Sequence, residues 1–207
     1  MAAFLGLDPG GADAFGWCLL SGDRFPLTVL SRGVVNNAAE AVAAGLDGGW
    51  QLAAAGIDAP LFWQASGDRR VDELVRAAVV RQGGHNATVN HVNSMRGACL
   101  VQGMMAAMFL RAHDAGLVIT ESHPKALLWL LGIARRGNPP GAIALAHLEQ
   151  WVVGNAAGAG DHERDAALGA LSAFVASTRM NGWQDLYPQE TDPITPLAPP
   201  PGYWLPL

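Results

Sequence analysis

Three times in this chain a short apolar run ends on a carboxylate and meets a turn signal. The segments are Phe4-Leu5-Gly6-Leu7-Asp8-Pro9-Gly10-Gly11, Ala55-Gly56-Ile57-Asp58-Ala59-Pro60 and Leu117-Val118-Ile119-Thr120-Glu121. Near-continuous apolar runs of this length read as strands buried on both faces of a sheet. The carboxylate then falls just past the end of its strand, where open α/β sheets bind ligands. A fourth segment, Asp161-His162-Glu163-Arg164-Asp165-Ala166-Ala167-Leu168, opens a long helical pattern. There the pairs Asp161/Asp165 (i,i+4) and His162/Asp165 (i,i+3) share one helical face. Converging carboxylates repel one another unless something positive stands between them, and a hard divalent cation is the usual answer.

Each carboxylate also has a purely structural explanation. Asp8 in Asp-Pro-Gly suits a turn, and Asp58 suits a cap or turn for the loop after it. Glu121, Asp161 and Glu163 suit helix starts, where the backbone N–H groups favour negative charge. That explanation fits Asp165 less well, because it lies one turn inside its helix. Glu121 is open between the two roles: Pro124 starts a helix just beyond it, and a carboxylate there accepts backbone N–H bonds. Asp58 lacks that excuse, so it is expected to be a direct metal ligand, with Glu121 behind it or ligating only when two ions are present. The expected separation of the Asp8, Asp58 and Asp165 carboxyl groups is within about 8 Å, since paired ions sharing ligands sit ~3.5–4 Å apart. At least one of the three is expected to hold its proton more tightly than usual.

The rest of the chain supplies the frame. Strands are expected at 2–7, 14–20, 25–35, 52–57 and 117–120, the first three as a meander. Asn36 or Asn37 caps a short helix ending near Gly45, and Asp68 caps one running to about Gln82. Residues 83–93 read as loop, 95–115 as a long apolar helix, and Pro124 to Leu131 as another. A further helix is expected from 138–140 to about 154–155, a flexible linker at 156–160 and a last helix at 161–179. From 181 onward proline dominates, and an extended tail is expected. This order gives an α/β layered domain over residues 1–180 with a mixed five-stranded sheet, followed by a Pro-rich tail at 181–207.

Composition narrows the function classes. With 207 residues and half of them apolar, the chain suits one globular domain. No apolar run reaches membrane-spanning length. The N-terminus shows no basic stretch typical of a secretory leader, and Cys18 and Cys99 sit in apolar surroundings. Both features fit a cytoplasmic protein with reduced thiols. A net charge of −5 is no footprint for a general nucleic-acid coat. It still permits a nuclease, because metal-site carboxylates count as negative until the metal arrives. Lys125 is the single lysine, and arginine supplies the other cationic side chains. His85, His91, His113 and His147 have no metal-ligand spacing, and neither a Gly-x-Ser-x-Gly elbow nor a Walker A loop is present.

With these segments assembled, the chain resembles the DUF429 group of predicted nucleases with a ribonuclease H-like fold, and more distantly the RuvC-type resolvases. The DUF429-like features are the strand ending on Asp8, Ile57-Asp58-Ala59-Pro60, Asp68-Arg69-Arg70-Val71-Asp72-Glu73-Leu74-Val75-Arg76, Thr120-Glu121-Ser122-His123-Pro124 and Asp165-Ala166. The RuvC-like features are Gly6-Leu7-Asp8-Pro9-Gly10 and His162-x-x-Asp165-Ala166. The resemblance spans roughly residues 3–180. It implies a two-metal phosphodiesterase site binding Mg²⁺ or Mn²⁺, with Asp8, Asp58 and Asp165 as catalytic ligands. Glu121, Asp161 and His162 complete the metal set, and His162 stands where the family more often carries a carboxylate. Arg69, Arg70 and Arg76 are implied contacts for substrate phosphates, or alternatively a solvated helix face. The implied partner is nucleic acid. Two other readings stand beside this one: a non-catalytic interaction or regulatory protein with a degenerate site, and an actin-like ATPase-type phosphotransferase. The last needs a second Gly-rich phosphate loop, which Asp58-Ala59-Pro60-Leu61 does not provide.

Overall fold

A computed structural model of the chain describes residues 2–62, 69–89, 97–155 and 158–207. The apolar runs form strands where their pattern predicts. β1 (Ala3–Asp8), β2 (Phe15–Ser21) and β3 (Leu27–Val35) make an antiparallel meander. After α1 (Ala38–Asp47), β4 (Leu52–Ile57) returns parallel to β1. α2 (Arg70–Arg81) and α3 (Gly97–His113) lead to β5 (Val118–Glu121), which is parallel to β4. Asn37 caps α1 by accepting a hydrogen bond from Glu40 N–H at 3.0 Å. The expected Asp68 cap of α2 and the first residues of the expected helix 95–115 lie outside the described residues.

Among the described residues the sheet has eight strands rather than five, in the order β6-β3-β2-β1-β4-β5-β8-β7. β6 (Val152–Val153) joins β3 in parallel. β8 (Gly202–Leu205) joins β5 in parallel, and β7 (Gln184–Asp185) lies antiparallel to β8. The last two fall in segment 181–207, whose prolines suggested an extended tail. Its Gly202-Tyr203-Trp204-Leu205 stretch nevertheless alternates, with Tyr203 and Leu205 fully buried. The prolines around it, Pro199 to Pro201 and Pro206, flank β8 rather than interrupt it, so they remove no donor from within the strand. The helix expected from 138 to about 155 is absent. Two short 3-10 turns (Pro140–Ala142 and Leu145–Leu148) and β6 replace it. Pro139-Pro140-Gly141 and Gly154 are poor helix formers, and they prevailed over the apolar residues between them.

Alternating side chains along the strands feed two cores, one on each face of the sheet. Leu5, Leu7 and Leu19 pack with Ala41 of α1 and Leu110 of α3 on one face. Phe4, Cys18 and Leu20 pack on the other with residues of α2, α4 (Pro124–Leu130) and α5 (Asp161–Thr178). Phe4 meets Phe174 of α5 edge-on at 5.1 Å between ring centroids.

Helix α5 lies directly on the sheet backbone, and three strand glycines make that possible. A Cβ on Gly16 would stand 2.3 Å from the His162 carbonyl oxygen. One on Gly6 would stand 1.7 Å from that of Ala166, and one on Gly56 would stand 2.0 Å from that of Gly169. Residues 162, 166 and 169 follow one helical stripe. Gly16, Gly6 and Gly56 belong to β2, β1 and β4, so the stripe crosses the sheet diagonally in a groove that only glycine leaves open. This close seat brings the start of α5 to the end of β1.

Candidate metal centre

Parallel pairing sets the first part of the site. In the ladder Leu7 faces Ile57, and Ile57 faces Glu121. Asp58 N–H donates to the Leu7 carbonyl at 2.9 Å, and Ser122 N–H donates to the Ile57 carbonyl at 2.7 Å. The ends of β1, β4 and β5 are therefore tied together, and Asp8 and Asp58 emerge side by side about one strand spacing, ~4.8 Å, apart. Helix α5 supplies Asp165 from its second turn. Ligand oxygens of Asp8, Asp58 and Asp165 lie within 4.8 Å of one another, inside the separation expected from sequence.

Neighbouring groups hold two members of this trio in place. His162 Nδ1 lies 2.7 Å from Asp8 Oδ2. The buried Arg164 donates from Nε to Asp165 Oδ1 at 2.7 Å, while its Nη1 donates to the carbonyls of Pro140 at 3.0 Å and Ile143 at 2.8 Å. Lys125, half-exposed at the start of α4, places Nζ 3.9 Å from Asp165 Oδ2. The three aspartates, His162 and Lys125 border a cavity of about 260 Å³, whose wall also includes Asp161, Pro9, Pro60 and Val89.

The electrostatics record the crowding. Burial pushes the Asp58 pKa well above the ordinary carboxylate range, and the charges of Asp8 and Asp165 add to it. Asp165 is raised to about 6 by burial, against the pull of Arg164. The hydrogen bond to Asp8 raises the His162 pKa despite partial burial. An all-oxygen cluster crowded enough to raise Asp58 and Asp165 suits a hard divalent cation, which relieves the repulsion and accepts carboxylate ligands.

Glu121 is engaged elsewhere. Its Oε1 accepts from Arg69 Nη2 at 2.8 Å, and its Oε2 accepts from Arg69 Nη1 and from Leu61 N–H, each at 3.0 Å. Arg69 also forms a fork with Asp72, at 2.8 Å from Nε and 2.8 Å from Nη2. All three side chains are buried. Burial works against the Arg69 charge, but Glu121 and Asp72 outweigh it and push its pKa further up. Arg69 is thus a wall of the cavity committed to internal partners. Arg70 pairs with Glu73 at 3.1 Å on the exposed side of α2, and Arg76 Nη1 reaches the Val89 carbonyl at 3.4 Å. Asp161 lines the cavity at the exposed start of α5.

Sequence reasoning passed over Arg164, Lys125 and the three groove glycines. Arg164 was visible as a cation inside an acidic run. Lys125 was visible as the single lysine, placed just after a helix-starting proline. The glycines were visible as isolated glycines within strands, a known sign of close backbone approach.

No protein-family model matches the chain, and no curated protein matches it. Among solved structures, a Thermus thermophilus RuvC structure is similar over 86% of this chain and 96% of that chain, with a TM-score of 0.40 and 16% sequence identity.

Proposed function

We propose that the protein is a ribonuclease H-like, divalent-metal-dependent nuclease that hydrolyses phosphodiester bonds of nucleic acid. The observation that carries this reading is the convergence of Asp8, Asp58 and Asp165 within 4.8 Å at the carboxyl ends of parallel strands. The central order β3-β2-β1-β4-β5, a meander followed by parallel strands, agrees with the fold that the sequence resemblance implies.

In this reading the three aspartates hold Mg²⁺ or Mn²⁺. Such ions supply Lewis-acid activation of water and charge stabilisation of the leaving oxygen. The protein's own groups set the geometry. Arg164 ties back Oδ1 of Asp165 and leaves Oδ2 turned to the cavity. His162 fixes the rotamer of Asp8. Lys125, exposed at the cavity wall 3.9 Å from Asp165 Oδ2, offers a positive charge to the non-bridging oxygens of a phosphate. The net reaction adds water across one P–O ester bond: the water oxygen joins phosphorus, and its protons end on the released hydroxyl and in solvent.

One observation favours a second reading, a non-catalytic protein that keeps this fold: His162 already occupies Oδ2 of Asp8. A cleavage assay in Mn²⁺ across single-stranded, duplex, hybrid and branched substrates separates the two. The nuclease reading expects cleavage of at least one class, reduced at least about 100-fold in Asp8→Asn, which removes charge but little volume. Equal cleavage by a well-folded Asp8→Asn protein would place the activity outside this site.

A further inference from the structure

Nucleic acid approaching this site meets a cluster of carboxylates on a molecule of net charge −5. Binding therefore needs cations nearby that are not spent on internal partners. Among the described residues, Arg24, Arg81, Arg135, Arg136 and Arg179 are exposed arginines outside the ion pairs. Three of them are far from the carboxylates. Arg24 follows the β2 end at Ser21, opposite the Asp8 end in the β1–β2 pairing. Arg179 ends the 18-residue α5, about 27 Å along the helix from Asp161. Arg81 ends α2, whose other end walls the cavity.

Arg135 and Arg136 remain. They sit at a tight turn closed by reciprocal backbone bonds, Arg135 N–H to Asn138 O at 3.2 Å and Asn138 N–H to Arg135 O at 2.9 Å. Gly137 takes the left-handed conformation that closes it, with φ of 90°. The turn is tied to the metal centre by a single side chain. Arg164, bonded to Asp165, also donates to the carbonyls of Pro140 and Ile143 just beyond the turn. Arg136 is four Cα–Cα steps from Pro140, so its Cα lies within about 14 Å of that anchor. The Arg164 guanidinium spans the remaining gap from Pro140 to Asp165, so at ~3.4 Å rise per nucleotide the turn can reach phosphates up to about six steps from the reacting one.

We propose that the Arg135–Arg136 turn is a phosphate-backbone contact for nucleic acid lying across the carboxylate site. The inference rests on the nuclease reading. The turn's backbone is already ordered, and its two exposed guanidiniums present forks that match phosphate oxygens. They contact backbone rather than bases, so they favour no sequence.

The test measures binding of short fluorescent single-stranded, duplex and RNA–DNA hybrid probes to the full chain over a range of salt. Ca²⁺ replaces the reactive ions so that the probe stays whole. The double variant Arg135→Ala/Arg136→Ala is compared with wild type and with Arg24→Ala, and Mn²⁺-dependent cleavage is followed in parallel. The expected result is affinity about 10-fold weaker in the double variant, with the slope of log K against log salt flatter by about 2. Arg24→Ala should match wild type, and Mn²⁺ should raise the melting temperature equally in all three. Wild-type affinity and slope in a folded double variant would overturn the inference while leaving the nuclease reading intact. Bound probe that wild type never cleaves in Mn²⁺ would instead count against the nuclease reading. Failure of wild type to bind any probe would overturn both.

Discussion

Asp165 holds its proton up to about pH 6, whereas the unfolded chain releases it near the ordinary value of 3.8. The folded pKa is the higher one, so the folded state binds more protons between these limits. Without metal, stability should therefore fall as pH rises from about 4 to about 6, on the order of 3 kcal/mol at full effect. Asp58, also raised, acts with the same sign. The raised pKa of His162 gives stability that is complete below 6.5 and lost as pH climbs through the folded value. Bound metal opposes all three, because its ligands must be deprotonated. Melting curves with EDTA and with millimolar Mn²⁺ check this. Mn²⁺ should raise the melting temperature by several degrees at pH 7.5 and by much less at pH 5; equal shifts at both would contradict the ligand assignment. Arg69 offers a second contrast. Arg69→Ala strands Glu121 and Asp72 as buried, unpaired charges and should cost about 3–5 kcal/mol in chemical denaturation. Arg70→Ala, in an exposed pair, should stay within about 0.5 kcal/mol of wild type. From sequence these adjacent arginines looked alike, because nothing in Asp68-Arg69-Arg70 says which one turns inward to meet Glu121, fifty-two positions along.

At the scale of elements, the decisive contact is α5 against β1, β2 and β4. Gly6→Val should destabilise the fold by about 3 kcal/mol or more, because the new side chain collides with the backbone of Ala166 and a helix carbonyl cannot step aside. The variant should also lose the Mn²⁺-induced rise in melting temperature, since displacing α5 moves Asp165 and His162 away from Asp8. Full retention of that rise would show that the helix is not what positions the site. Much of this arrangement was legible beforehand. Apolar runs ending on Asp8, Asp58 and Glu121 announced strands and their carboxyl ends, and the face shared by His162 and Asp165 announced a helix turned toward them. The glycines were less legible, since a missing side chain gives no sign of which element will approach. β6 and β7, two residues each, are too short to show any period, and β8 was masked by the prolines around it.

For the whole molecule, the C-terminal segment closes one side of the sheet. Tyr203 and Leu205 are fully buried, and β8 pairs with β5 beside Glu121. A chain ending at residue 180 would lose that apolar burial, worth about 5 kcal/mol for the two side chains together, and would leave the β5 edge open. Circular dichroism should show a melting temperature lowered by about 10 °C or more, or an aggregating protein. A truncated chain that melts like wild type would mean the segment is an accessory. The division of the site along the chain has a further meaning during protein synthesis. Asp8 and Asp58 belong to the first quarter or so of the polypeptide, and Asp165 comes more than a hundred residues after Asp58. A ribosome-bound chain can form the meander and β4 early, yet it carries only part of an ion-binding site until α5 has emerged and seated itself in the glycine groove. Under the nuclease reading, a half-made copy is therefore inert toward the messenger that encodes it.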